Sequence, residues 1–350
     1  MMSKKRVAIL FGGQSSEHEI SCISAGGILG AIDRTRFEPI LIGITREGRW
    51  VLVDQSTSLA LVNGKLPEVD SSLAAIDADI HGFKVDGQPL EIDVLFPLLH
   101  GPYGEDGTVQ GLCEMAGIRY VGSGVLASAV AMDKSFAKPI FHAAGLKVTP
   151  GIVLKKGELQ AGQIENLIYP LFVKPARSGS SRGTTKVKSF EQLAAAIEFG
   201  FEFDTKVLIE EAILGREIEC GVLETAGTAH ASPVGEIKIL GNHEFYDFEA
   251  KYLDDATTVL FPSDLPVGVE AEIQRQAVKA FEALSCEGLA RVDFFYTANG
   301  EIIINELNTM PGFTPTSMFA KLWNRAGVSY PQVITRLIDA ALLRSGHVTR

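Results

Sequence analysis

At 350 residues, 46% of them hydrophobic and 21% charged, the chain has the composition of a soluble globular protein and the length for two or three domains with substantial cores. A net charge of −11 excludes a broad basic surface for nucleic acid or an anionic membrane, while leaving room for a local basic pocket. No apolar run reaches the ~18 residues of a membrane span.

The chain opens with MMSKKRVAILFGG, which lacks the apolar stretch and small-residue cleavage site of a secretory leader. Arg6 to Phe11 reads as a buried strand, and Gly12-Gly13 turns out of it. Ser16-Glu17-His18-Glu19 fits a capping box, placing a helix N-terminus and its amide groups beside that turn. Strand, glycine turn and helix start make a site for an anion or polar ligand. The spacing is not GxGxxG, so it is a weak dinucleotide fingerprint. Glu17 falls in the first helical turn, where an acid in isolation serves the helix dipole. Phe37 to Thr45 and Trp50 to Val53 read as strands joined at Arg46-Glu47-Gly48; residues 54–90 carry turn signals only. Ile92 to Pro97 is a further strand and ends in the loop HGPYGEDG (100–107), followed by a helix over 108–116. In open α/β sheets, ligands collect beyond the carboxyl ends of strands. The strand and helix alternation predicts a parallel, doubly wound domain to about residue 124.

Helical patterning runs from Val125 to Ala144, interrupted near Asp133 and Pro139. Tyr169 to Pro175 reads as a strand with Lys174 at its far end. It feeds into Ala176-Arg177-Ser178-Gly179-Ser180-Ser181-Arg182-Gly183, small residues whose amides can close on a phosphate. Ser189-Phe190-Glu191-Gln192 predicts a capped helix. Lys206 to Ile213 is a strand that stops at Glu210, Glu211 and a short apolar hinge. Gly215 to Cys220 resumes as a strand, with Glu217 and Glu219 on one face and Arg216 on the other. Residues 241–262 have no clean period; their aromatic content argues against disorder, and such a loop fits a closing flap. Val267 to Cys286 is a helix. Cys22, Cys113, Cys220 and Cys286 lie far apart and read as reduced, packed thiols of a cytoplasmic protein.

The most informative stretch is GLARVDFFYTANGEIIINELNTMPG (288–312). Two strand-like runs flank Asn299-Gly300, a two-residue hairpin signal. That turn pairs Ala298 with Glu301, which sets Asp293 opposite Glu306 and Arg291 opposite Asn308, all on one face. Opposed carboxylates repel, so a positive partner is required. Arg291 alone could supply it. Two carboxylates with an amide oxygen are equally a hard-oxygen set suited to Mg²⁺. Gly312, in the loop beyond, leaves a backbone amide free to act as an oxyanion donor.

Taken in order, FGGQSSEHEIS, HGPYGEDGTVQG, MDK (132–134), FVKPARSGSS, VLIEEAILGREIE, FYDFEAKY, ARVDFF and NELNTMPGFT resemble the D-alanine–D-alanine ligases of the ATP-grasp fold, over essentially the full length. The resemblance implies an α/β (α+β ATP-grasp) architecture. A doubly wound parallel-sheet domain (1–124) would bind substrate, and two ATP-grasp domains (125–215 and 216–350, with lid loop 241–262) would sandwich the nucleotide. It implies ATP, two Mg²⁺ or Mn²⁺ ions, a monovalent cation as a further candidate, two D-alanine molecules and a homodimer. By the same resemblance Lys134, Lys174 and Lys251 approach the phosphates. Glu210, Glu211 and Ile213 read the base, Glu217 binds the ribose, and Asp293, Glu306 and Asn308 hold the metals. Glu17, with His100 nearby, takes the first ammonium. Ser180 and Tyr252 link to Glu17 and close the site. Ser317, beside Met318, binds the second carboxylate, and Arg291 with the Gly312 amide stabilises the oxyanion. Arg182 departs from the apolar residue expected of the family. Rival readings are a D-alanine–D-lactate or D-alanine–D-serine ligase, an ATP-binding protein without catalysis, and a dinucleotide-dependent oxidoreductase.

Overall fold

The computed structural model describes residues 3–62, 64–158, 164, 166–239, 257–261 and 264–344. β1 (Lys5–Gly12) is buried along its last six residues, as a strand covered on both faces must be. It leads into α1 (His18–Ala31), and β2 (Phe37–Ile44) returns beside β1 in parallel. A Cβ on Gly12 would lie 2.3 Å from the Ile44 carbonyl oxygen and the backbone there has φ +87°, so glycine is required at this turn. β3 (Trp50–Val53) pairs antiparallel with β2, which gives the expected parallel sheet an antiparallel edge. β4 (Ile76–Asp79), β5 (Gly82–Val85) and β6 (Gln88–Pro89) form a small antiparallel sheet of their own, where the sequence offered only turn signals. β7 (Val94–Pro97) pairs in parallel with the free side of β1 and is followed by α2 (Thr108–Ala116).

The helical stretch that follows divides at Asp133 into α3 (Val125–Met132) and α4 (Lys134–Ala143). The Asp133 carboxylate accepts the Ser135 N–H at 3.0 Å and so caps α4. Pro139 does not interrupt that helix, as its sequence position suggested; it lies inside it. Burial of Ala137 and Phe141 on either side outweighs the one backbone bond that proline forfeits. β8 (Gly151–Lys155), β9 (Leu171–Pro175) and β10 (Thr185–Val187) precede α5 (Phe190–Gly200), and β11 (Lys206–Glu211) completes an antiparallel sheet in the order β10-β9-β11-β8. Ser189 takes the N-cap position of α5 without a side-chain cap bond; Gln192 instead accepts the Lys188 N–H at 2.8 Å.

A second antiparallel sheet has the order β14-β13-β12-β15-β16, built from β12 (Gly215–Thr225), β13 (Thr228–Ile239), β14 (Thr257–Leu260), β15 (Leu289–Thr297) and β16 (Ile302–Asn308). β14 occupies part of the 241–262 stretch that reads as a loop in sequence; 241–256 and 262 lie outside the described residues. α6 (Val269–Ala283) packs Ile273, Ala277, Ala280 and Phe281 onto this sheet. α7 (Met318–Arg325) and α8 (Tyr330–Leu343) then return to the start of the chain. Phe319, Trp323, Ile334, Leu337 and Ile338 share one buried cluster with Val7, Ile9, Phe11 and Ile28. Arg36 forks onto Asp339 at 2.7 and 3.1 Å, and Arg344 donates to the Tyr120 and Gly122 carbonyls at 3.2 and 2.9 Å. Among the described residues no helix is long and apolar enough to cross a membrane.

Ile338 is fully buried at this junction. Ile338→Ala is expected to cost about 2–5 kcal/mol of stability through lost burial and a residual cavity; a urea midpoint unchanged from wild type would show that the junction is not a cooperative core.

Candidate active site

The hairpin of β15 and β16 carries one wall of the site, and its geometry departs from the sequence reading in two places. The turn contains three residues and not two: Thr297 N–H donates to the Glu301 carbonyl and Gly300 N–H to the Thr297 carbonyl, both at 3.0 Å, with Gly300 at φ +81°. Tyr296, Phe295 and Phe294 therefore face Ile302, Ile303 and Ile304. A β-bulge follows, with Asn305 as the extra residue, and it restores the predicted pairs Asp293 with Glu306 and Arg291 with Asn308. The two one-residue offsets cancel, so the predicted pairs are right although the predicted turn is wrong.

On the other side of β15, Glu219 pairs with Asp293. Glu219, Asp293 and Glu306 thus form a row of carboxylates across three strands. Arg291 lies among them: its guanidinium forks onto Asp293 at 2.8 and 2.8 Å, and its Nε is 3.2 Å from Glu219. The Asn308 amide donates to Asp293 at 3.1 Å. Burial works against the charge of Arg291, yet Asp293 and Glu219 outweigh it and hold its pKa well above the ordinary value.

The opposite wall comes from α4 and the sheet of β8 to β11. Lys134 Nζ reaches Glu306 at 3.2 Å and the Ser178 carbonyl at 3.1 Å. Lys174 Nζ lies 2.5 Å from Glu210 and donates to Asn305 at 3.3 Å. The second oxygen of Glu210 is paired with Lys138. Burial of Glu210 would raise its pKa, but the two lysines prevail and hold it below the usual carboxylate range. Between the walls is a cleft of about 370 Å³ that combines apolar side chains (Phe172, Ile213, Phe294, Phe295) with Lys134, Lys174, Glu217, Asp293 and Glu306. Glu211 accepts the Ile168 N–H at 3.1 Å. Arg216 points away from the cleft to Glu236 and Asp264, as alternation predicts.

The first sheet supplies the third side. Helix α1 begins at His18, so Glu17 precedes the first turn rather than lying in it, and no side chain caps that helix as the expected box would. Glu17 is buried and accepts the Ser180 hydroxyl at 2.5 Å. The helix start is tied instead by His18 to the Gly13 carbonyl at 2.7 Å, and by Ser21, which receives the Gly12 N–H at 2.8 Å. Ser180 and Ser181 adopt left-handed backbone at φ +50° and +57°, a strained conformation for non-glycine residues that occurs at functional loops. Arg182 is exposed beside them. His100 is buried and hydrogen-bonds the Met310 backbone, and burial keeps its pKa low. Glu105 accepts the Gly101 N–H at 2.6 Å and a Met310 backbone bond, so the 100–107 loop grips the chain two residues before Gly312. Ser317 precedes α7 and donates to the Thr314 carbonyl at 2.8 Å, while Met318 packs with Ile237 and Leu322. α7 can sit this close because residue 235 is glycine: a Cβ there would be 2.7 Å from the Met318 sulfur. Lys251 and Tyr252 lie outside the described residues.

Four residues at the site escape the sequence reading. Lys138 follows Lys134 by one helical turn, a usable signal. Glu105 stands in a glycine-rich loop already marked as ligand-facing. Glu219 shares the face of Glu217, but its pairing with β15 is a long-range fact. Asn305 faces the cleft only because of the bulge.

Two antiparallel sheets closing on a cleft of lysines and carboxylates define the class, an ATP-grasp ligase. Family profiles described as the D-ala D-ala ligase N-terminus and C-terminus match residues 6–123 and 140–339. The D-alanine–D-alanine ligase of Arthrobacter sp. (strain FB24) is 51% identical, covering 98% of this chain and 95% of the relative; that of Mycobacterium ulcerans is 49% identical, covering 97% and 96%. Among solved structures, the VanG D-Ala:D-Ser ligase from Enterococcus faecalis is 38% identical with a TM-score of 0.86, covering 97% of this chain and all of that one. The D-alanine–D-alanine ligase from Coxiella burnetii is 34% identical with a TM-score of 0.83, covering 97% and 95%. The chain belongs to the D-alanine–D-alanine ligase family.

Burial, reinforced by the charge of Glu17, raises the Glu105 pKa to about 8. Protonation of Glu105 therefore favours the folded state, and that contribution is present at low pH and lost as pH rises through about 8. Glu105→Gln keeps an acceptor and cannot ionise, so it is expected to lose less stability than wild type between about pH 5 and pH 8. Denaturation midpoints of both proteins across that range give the check, and parallel pH profiles would show that Glu105 titrates normally.

Proposed function

We propose that the protein joins two D-alanine molecules at the expense of ATP, through an acyl phosphate, to make the dipeptide of peptidoglycan precursors. The observation that carries this reading is the carboxylate row Glu219–Asp293–Glu306 with Arg291, standing across one cleft from Lys134 and Lys174. Cations on one wall suit the phosphates of a nucleotide, and hard oxygens on the other suit the ions that travel with it. Asp293, Glu306 and Asn308 share a face and present two carboxylates and an amide, which fits Mg²⁺ or Mn²⁺. Among the described residues no three His, Cys, Asp or Glu side chains converge as a cage. Two such ions, when bound there, would supply charge neutralisation at the phosphoryl oxygens.

The chain's own groups divide the work. Phe172 and Ile213, with Glu210 and Glu211, border the place for the base, and Glu217 for the ribose. Lys134 and Lys174, with Lys251, neutralise the phosphates. Glu17, buried beside His100, takes the first D-alanine's ammonium and leaves its carboxylate to attack the γ-phosphorus, with ADP departing. The amine of the second D-alanine, whose own carboxylate lies at Ser317 and the start of α7, then attacks the acyl carbonyl. Phosphate leaves from a tetrahedral intermediate whose oxyanion faces Arg291 and the Gly312 amide, electrostatic stabilisation in a site shielded from water. Ser180, already on Glu17, and Tyr252 from the 241–262 lid close that site. We place the enzyme, as a homodimer, in the cytoplasm, where its four free and buried cysteines would stay reduced.

Phosphate release and dipeptide formation with ATP, Mg²⁺ and D-alanine test the reading, with D-serine or D-lactate added in parallel to expose another second substrate. No release with D-alanine would overturn it. Glu306→Gln is expected to fold normally and to lower turnover about 100-fold or more, the scale of a lost metal contact to the transition state. Undiminished turnover in that variant would remove Glu306 from the metal site.

A further inference from the structure

Lys138 lies one turn beyond Lys134 on α4, is 7% exposed and does not border the cleft. Its ammonium meets one oxygen of Glu210, itself 3% exposed, while the other oxygen takes Lys174 at 2.5 Å. A buried and a half-buried lysine thus share one carboxylate, and only the latter, Lys174, faces the ligand. Burial pulls the Lys138 pKa down to about 8 against the pull of Glu210, which leaves it protonated at neutral pH. A buried lysine–glutamate pair is a poor device for stability alone, since apolar residues of similar size serve as well or better. Its charge arithmetic is more telling. Were Lys138 absent, Glu210 and Lys174 would cancel; with it, the three side chains carry one net positive charge, and Lys174 is the member that presents it to the cleft.

We propose that Lys138 is a positioning residue for nucleotide phosphate: it satisfies Glu210 so that the Lys174 ammonium is left for the phosphates, without touching the ligand itself. The proposal rests on the reading of the cleft as a nucleotide site. It extends that reading by separating recognition of the phosphates from recognition of the base. Because Lys138 acts through the charge of Glu210, removing the charge of Glu210 as well should undo its loss.

Calorimetric titration of the full chain with ADP and with adenosine, in the absence of D-alanine, tests this. Lys138→Met is expected to bind ADP about tenfold more weakly, the scale of one partly screened charge, and adenosine as wild type does. Lys138→Arg should recover most of the ADP affinity. Lys138→Met combined with Glu210→Gln should restore the wild-type ratio of ADP to adenosine affinity, whatever it does to either alone. This double variant removes both buried charges together and so remains informative if the single one fails to fold. An equal loss of both ligands in Lys138→Met, or a ratio that stays depressed in the double variant, would overturn the proposal. Failure of wild type to bind ADP would instead overturn the nucleotide site on which it rests.

Discussion

Three carboxylates side by side on adjacent strands repel one another, and the rest of the site is arranged around that repulsion. Glu219, Asp293 and Glu306 cannot all stay ionised in a half-buried row without cations. Arg291 supplies one from within the row through a planar fork that matches Asp293 and still reaches Glu219. Lys134 supplies another from the facing wall. The result is a set of anions kept charged by partners that a phosphate could claim in turn. A ligand bringing its own metal ions and phosphates would exchange one set of ion pairs for another, so neither wall need be left with an unpaired buried charge.

Because Lys134 and Lys174 face the carboxylate row from the opposite wall, binding must depend on how the two walls are held. Helix α4 is the carrier of the cationic wall. Asp133 caps it, Lys206 is paired with Asp133, and the Lys134 N–H donates to the Ala176 carbonyl at 3.1 Å. The helix start is thereby tied to the strand that bears Lys174. The first sheet enters through two contacts of a different kind, Ser180 on Glu17 and the grip of His100 and Glu105 on Met310. Helices α7 and α8 complete the frame by burying side chains from Phe319 to Ala341 in the core built on β1 and α1. The loop from Met310 to Ser317 is consequently fixed at both ends, which suits the roles proposed for it, the Gly312 amide at the oxyanion and the Ser317 hydroxyl at the second substrate's carboxylate.

Much of this was legible locally. Apolar runs gave β1, β2 and β7, and the serine and glycine run after Lys174 marked the loop that now shows left-handed serines. Pairings between distant segments were not legible: β13 and β14 fill a sheet edge that no short-range signal announces, and Glu219 joins the acids only through the register of β12. Cap signals in the sequence fail where stronger partners compete. Ser16 lost the start of α1 to His18 and Ser21, while the true capping box, Ser329 with Gln332, stands at α8.

The bulge at Asn305 shows how far a strand can be bent to serve a site. Ile304 and Leu307 are both buried in the same apolar cluster, yet they are three residues apart. In a regular strand, residues at odd separation face opposite sides. One extra residue between them resolves the conflict, and it leaves Asn305 and Glu306, neighbours in sequence, both at the cleft. Each meets a different lysine, Asn305 with Lys174 and Glu306 with Lys134. A flat strand could have offered only one of them. The irregularity that breaks the simple alternation is thus the feature that lets one strand address both cations of the opposite wall, and the run Ile304-Asn305-Glu306-Leu307, two polar residues between two apolar ones, is its trace in the sequence.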